Sequence, residues 1–184
     1  MFRLQGISAS RVALIVSVFW IGSIANLTAQ GGDNPHTSLE DVETGQRQWH
    51  FQMIHHGLWD YDLPAAPNLL DVTVDGRRVK AIAQVSKQGF VYAFDRVTGE
   101  PIWPIEERAV ATDTDLEGEI MSPTQPFPTK PAPFEFQGTS IDDLVDFTPE
   151  IRQMAVDAVA GFRMGPLYTP QTLGGTIMRP PVWG

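Results

Sequence analysis

The sequence predicts a mainly β protein built of antiparallel, propeller-type blades, with one helix towards the C-terminus. Three observations predict it. The pattern Asp-x-x-Thr-Gly-x-x-x-Trp occurs twice, at Asp41, Thr44, Gly45 and Trp49 and again at Asp95, Thr98, Gly99 and Trp103, a period of 54 residues (95 − 41). Between the copies, two apolar runs flank Asp75-Gly76, a dipeptide that strongly favours a two-residue hairpin. After Thr148-Pro149-Glu150, apolar residues fall at helical spacing behind a good N-cap. A period near 50 residues made of short strands is the pattern of repeated blades.

A chain of 184 residues amounts to one domain or part of a larger one. With 42% hydrophobic and 19% charged residues it has enough apolar material to bury a core. The net charge of −9 argues against nucleic acid or an anionic membrane surface as partners. The absence of Cys excludes disulfides, thiolate metal sites, cysteine nucleophiles and a lipid anchor through an N-terminal cysteine.

Residues 1–29 read as an export signal. Arg3 and Arg11 make a positive start, and the apolar run from Val12 to Ala25 is shorter than the roughly 20 residues of a membrane span. Leu27-Thr28-Ala29 offers small residues for cleavage before Gln30. An uncleaved anchor is the alternative. The mature domain is then 30–184, and the expected location is the periplasm.

Gly31 to Ser38 is polar and turn-rich and is expected to be a loop. In each copy of the repeat, Asp and Thr can bond turn backbone, Gly can take a positive φ, and Trp opens the next strand and packs on a neighbour, so each copy, from Leu39 and from Ala93, reads as strand, tight turn, strand. Strands are expected near 47–54, 68–74, 77–85 and 89–95, the last two joined by the turn Ser86-Lys87-Gln88-Gly89. Four strands make one blade.

The stretch His55-His56-Gly57-Leu58-Trp59-Asp60-Tyr61-Asp62-Leu63-Pro64 carries the chemistry. On an extended backbone Asp60 and Asp62 point to the same side. A carboxylate beside the large Trp59 ring is expected to be partly desolvated, which raises its pKa and suits it to proton abstraction. The competing reading is an Asp pair that caps a strand end or turn. A metal site from His50, His55 and His56 is disfavoured, because adjacent histidines on a strand face opposite ways. His55 or His56 lining a pocket beside Asp60 stays open.

Further on, Pro123, Pro126, Pro128, Pro131 and Pro133 predict an extended loop without regular structure. Its aromatics Phe127, Phe134 and Phe136 are expected to pack the loop down, with a substrate entrance as the alternative. Ser140-Ile141-Asp142-Asp143 predicts a short helical turn. The helix is expected over 149–163, with Ile151, Ala155, Ala158, Val159 and Phe162 on one face and Met154 and Met164 as core filler. No Ser-centred elbow, phosphate-cradling loop or nucleotide fingerprint is present.

Together, the repeated tryptophan motifs, the segment His55 to Pro64 and Lys87 in a Lys-Gln-Gly turn make residues 39–131 resemble the quinoprotein dehydrogenases that use pyrroloquinoline quinone (PQQ). Lys87 lies 27 residues after Asp60 (87 − 60). The resemblance is greatest to the glucose dehydrogenase branch, and Ser122-Pro123-Thr124-Gln125-Pro126-Phe127 extends it. It implies an eight-bladed propeller, of which about two blades are present here, with Trp49 and Trp103 as docking residues between blades. It implies Asp60 as catalytic base, Lys87 as the contact to the PQQ quinone, and calcium or another divalent cation for which Asp60 is a candidate ligand. The implied reaction is oxidation of an alcohol or aldose sugar, with electrons passing to a quinone or cytochrome. The family's glutamate and asparagine that complete the ion site, and its aromatic floor under PQQ, have no counterpart here. The expectation is therefore a fragment that is inactive alone and that self-associates or takes a partner supplying blades. A non-catalytic periplasmic blade module that binds proteins is the alternative.

Overall fold

The structure, a computed structural model, describes residues 36–180; the predicted export segment 1–29 lies outside the described residues. Seven strands come first: β1 His36–Glu40, β2 Arg47–Gln52, β3 Asn68–Val74, β4 Arg77–Val85, β5 Val91–Asp95, β6 Ile105–Ala109 and β7 Thr124–Pro128. A 3-10 turn at Ile141–Asp143 and helix α1, Pro149–Val159, follow. All sheets are antiparallel: β1-β2, β3-β4-β5 and β6-β7.

The central sheet follows the predicted turns. Asp75 and Gly76 both take positive φ (49° and 77°), the conformation of the two-residue hairpin turn that matches strand twist. Gly89, at φ 79°, closes the turn between β4 and β5, and its N–H bonds the Ser86 carbonyl at 3.0 Å. In β4, Val79, Ala81 and Ile82 are buried, and in β5 Tyr92 and Phe94 are fully buried. β3 is an edge strand with Leu69 and Leu70 exposed.

Three expectations about strands need correction. The segment before Ser38 is not all loop, because β1 begins at His36 and pairs with β2 in the register Leu39↔Trp49. Thr37 and Ser38 are buried there, and their polarity hides a strand from a hydropathy reading. The strand 47–54 does not join the next three in one sheet, since β2 pairs with β1 instead. A fourth strand of the central sheet is reduced to the bridge Phe94↔Pro101, where Ile102 N–H bonds the Ala93 carbonyl at 2.8 Å.

The proline-rich stretch is also more regular than expected, since β7 carries Pro126 and Pro128. The bonds from Val110 N–H to Pro123 O and from Thr129 N–H to Pro104 O make the odd positions the paired ones. Pro126 and Pro128 occupy the intervening positions of an edge strand, where no N–H is needed.

The core lies where the sheets meet. Met53, Ile54, Trp59, Tyr61, Ile82, Phe90, Tyr92, Phe94, Met121 and Tyr168 form one buried cluster. The Tyr92 hydroxyl donates to the Pro126 carbonyl at 3.0 Å and ties the central sheet to β7. Trp49 packs on the second copy of its own repeat, with its indole N–H donating to Arg96 O at 3.3 Å and its ring 5.7 Å from Phe94.

Helix α1 starts as predicted: Thr148 Oγ1 accepts the Ile151 N–H at 3.3 Å, and Pro149 takes the first turn. It is shorter than expected, and none of its residues is buried. Met154 is 70% exposed, so it is not core filler; Met164, beyond the helix, is half-buried. Phe134 and Phe136 are likewise exposed, and Phe127 alone of the three loop aromatics packs inward, against Phe90 and Tyr168.

Candidate functional site

Residues 59–63 form no regular strand, yet their side chains alternate. Trp59, Tyr61 and Leu63 point into the core at 1%, 3% and 9% exposure, while Asp60 and Asp62 face outward. The inward side is anchored well. The Trp59 indole N–H donates to Thr169 O at 2.8 Å, and the Tyr168 ring meets Trp59 edge-on at 5.2 Å. Burial pushes the Tyr61 hydroxyl pKa up to about 12 and raises that of Tyr168, so both rings stay neutral across the physiological range.

This alternation overturns one expectation. Trp59 does not desolvate Asp60, because its ring points inward while the Asp60 carboxylate, 64% exposed, points away. Asp60 instead takes φ 55°, a left-handed conformation that short polar residues tolerate, and its carboxylate turns to Lys87.

Lys87 arrives from the Ser86–Gly89 turn. Its Nζ lies 3.2 Å from Asp60 Oδ2 and 3.1 Å from Asp62 Oδ2, and its backbone N–H donates to Asp62 O at 3.2 Å. The Lys87 side chain is only 12% exposed. That burial lowers its pKa, but hydrogen bonds to Asp62 and then Asp60 outweigh it, and the net shift is upward. Both predicted site residues are thus brought together, and Asp62 joins them.

Beside this triad lies an open cleft of about 480 Å³ whose lining includes Pro64, Val85, Lys87, Gly89, Phe134 and Glu135. Its size is that of a small-molecule site. Gly89 is needed there twice: for its positive φ, and because a Cβ would stand 2.7 Å from Glu135 Cβ. A mostly apolar wall suits a planar cofactor, while the one cation is already matched by Asp60 and Asp62 and Glu135 adds a negative charge to the lining. The fit to a metal is poorer. Among the described residues no three His, Asp or Glu side chains converge as a shell, and the two carboxylates present engage Lys87.

The histidines go elsewhere. His55 Nε2 pairs with Glu107 at 2.9 Å and His56 with Glu119. Gln125 clamps the His55 backbone, accepting its N–H at 2.9 Å and donating to its carbonyl at 2.6 Å. Phe134 lines the cleft, in keeping with the alternative of a substrate entrance, while sequence reasoning missed Glu135 as cleft wall and Tyr168-Thr169 as the anchor of Trp59. The glycine after Gln88 was the one local signal of a close approach; nothing near Trp59 in sequence points to Thr169.

Residues 39–184 match the PQQ family described as the glucose/ethanol/alcohol dehydrogenase beta-propeller domain. The quinoprotein glucose dehydrogenase of Escherichia coli (strain K12) is 33% identical over 147 residues, covering 76% of this chain and 17% of that protein. The quinate/shikimate dehydrogenase (quinone) of Acinetobacter baylyi is 32% identical over 73% of this chain and 18% of its own length. The glycerol dehydrogenase large subunit of Gluconobacter thailandicus is 41% identical over 47% of this chain and 12% of its own length. Among solved structures, a europium-containing methanol dehydrogenase is similar at 29% identity and a TM-score of 0.34, over 38% of this chain and 13% of that one. The chain therefore spans less than a fifth of the length of these relatives, and over that span it belongs to the PQQ-dependent quinoprotein dehydrogenases, in their beta-propeller domain.

Proposed function

We propose that this chain supplies the acid–base part of a PQQ-dependent oxidation of an alcohol or aldose sugar. The observation that supports it is the pairing of the Asp60 carboxylate with the Lys87 ammonium at 3.2 Å beside an apolar cleft. Asp60 takes the hydroxyl proton of the substrate. Lys87 bonds the quinone oxygens and balances negative charge that develops there. Pro64, Val85 and Phe134 wall the cleft and exclude water on one side. PQQ, when bound, supplies the two-electron oxidant that accepts hydride from the carbinol carbon. Relatives named for glucose, glycerol and quinate favour a polyhydroxylated substrate.

A divalent ion, calcium in this reading, would take Asp60 as one ligand in place of its contact to Lys87. It would need 6–8 oxygens, the rest of them from outside the described residues. The other cofactor walls come from further blades, in the same polypeptide or on a partner, and the electrons leave to a quinone or cytochrome. Residues 1–29 direct export to the periplasm.

The test has two arms. The 184-residue chain, reconstituted with PQQ and calcium, is expected to give no dye reduction with glucose or ethanol. Residues 39–180 grafted in place of the matching segment of the E. coli relative are expected to give turnover that Asp60→Asn lowers by about 10²–10⁴-fold. A graft indifferent to Asp60→Asn would overturn the role of Asp60. Turnover by the isolated chain would show that it completes the site by self-assembly.

A further inference from the structure

We propose that Tyr168 is a positioning residue that supports Asp60 and Lys87 from within the core and so fixes the spacing between them. The inference rests on the dehydrogenase reading of those two residues and adds the element beneath them. Asp60 stands in sequence between Trp59 and Tyr61, whose buried rings meet the Tyr168 ring edge-on at 5.2 and 6.1 Å. Lys87 is followed by Gln88, which turns into the core and donates from Nε2 to the Tyr168 hydroxyl at 3.3 Å. One fully buried side chain thus touches the backing of both functional residues.

Tyr168 holds a conformation that its own chemistry disfavours. Its φ is 66°, and a bulky side chain rarely enters the left-handed region. Asp60 and Asp75, also at positive φ, are short polar residues that tolerate it. Strain of this kind persists where the surroundings over-determine the backbone. Here Thr169 N–H and Oγ1 both donate to Pro166 O, at 3.0 and 2.6 Å, and the Trp59 indole N–H donates to Thr169 O at 2.8 Å. A Cβ at Gly165 would stand 2.4 Å from Thr169 Oγ1, so the loop closes tightly on itself.

Gln88 is fully buried, and its Oε1 has no partner among the described residues. A half-satisfied amide is costlier in a core than an apolar side chain of similar shape. What the amide adds is its bond to Tyr168, while the Gln88 backbone carbonyl accepts Gln137 Nε2 at 2.7 Å. The turn is therefore clamped by Tyr168 on the core side and by Gln137 on the loop side, and Lys87 leaves it towards the cleft.

The experiment removes the hydroxyl and keeps the ring. In the full chain, with no cofactor or substrate present, hydrogen exchange read by mass spectrometry is compared for the native protein, Tyr168→Phe and Gln88→Met. Exchange over 84–90 is expected to rise about 3- to 10-fold in each variant, and no further when they are combined, since both break the same bond. Exchange over β2 and β7 is expected to stay as in the native chain. The Tyr168 hydroxyl also meets that of Tyr92. Gln88→Met leaves that contact in place, so agreement of the two variants assigns the effect to Gln88.

The second arm uses the grafted relative. There kcat with glucose is expected to fall about 10- to 100-fold in Tyr168→Phe with KM within about twofold, a split that lost stability alone would not produce. Unchanged exchange over 84–90, a rise in Tyr168→Phe alone, a rise shared equally by every sheet, or a loosened turn with kcat intact would each overturn the proposal. A graft without turnover would sink the dehydrogenase reading and leave the exchange over 84–90 to decide this one.

Discussion

The two copies of the repeat fold into the same turn and meet different surroundings. In the first, Asp41 Oδ1 accepts N–H bonds from Glu43 and Thr44 at 3.0 and 2.9 Å, and Thr44 Oγ1 accepts the Gln46 N–H at 3.3 Å. In the second, Asp95 Oδ1 accepts from Val97 and Thr98 at 2.8 and 3.4 Å, and Thr98 Oγ1 accepts the Glu100 N–H at 3.2 Å. Gly45 and Gly99 take φ of 68° and 78°. Yet a Cβ on Gly99 would lie 2.6 Å from Trp49 Cγ, whereas a Cβ on Gly45 would meet nothing within 4 Å among the described residues. The motif encodes a turn, and the seat for a neighbour's tryptophan is filled only in the second copy.

The largest expected effect separates the two glycines. Gly45→Ala adds left-handed strain alone, about 1–2 kcal/mol. Gly99→Ala adds that strain and a collision with the Trp49 ring, together about 3–4 kcal/mol. Urea unfolding of both variants measures the difference. Equal costs would mean that the ring is not seated on Gly99.

A double-mutant cycle sharpens the point. Trp49→Ala removes a half-buried ring and is expected to cost about 2 kcal/mol. In that background the collision is gone, so Gly99→Ala should fall back to the cost of its counterpart at Gly45. Strict additivity would place the Gly99 penalty in the backbone and not in the docking contact.

The same contrast explains what the sequence could tell. Turns are local, and Asp75-Gly76, Ser86–Gly89, both Asp-x-x-Thr-Gly turns and the Thr148 cap were legible because each is made by neighbours in the chain. Resemblance and a 27-residue spacing singled out Asp60 and Lys87, and the structure shows the two in contact at 3.2 Å. What covers a surface is not local. The apolar spacing of α1 predicts a face, but none of its residues is buried. The Trp59 ring was assigned to Asp60 because the two adjoin in sequence, while the period-2 alternation of the segment sends them to opposite sides. The strand before the first turn was legible from the repeat, but its start at His36 was not, because Thr37 and Ser38 are polar and still buried.

The smallest effect should be the one that fails to distinguish the copies. Asp41 and Asp95 each bond two turn N–H groups through one carboxylate oxygen, and each backbone N–H reaches across the turn, to Gln46 O at 2.9 Å and Glu100 O at 2.8 Å. Replacing either by Ala leaves those donors to water, because both turns lie at the surface, and a loss of this kind costs about 1 kcal/mol. Asn keeps an acceptor in the same place, so Asp41→Asn and Asp95→Asn should recover most of it. Neither substitution touches the Trp49 seat directly, and the two Ala variants are expected to agree within about 0.5 kcal/mol. Paired urea titrations of the four variants measure this. A markedly larger loss at Asp95 would show that the turn and the seated ring fold as one unit, so that even the local half of the motif depends on the residue docked upon it.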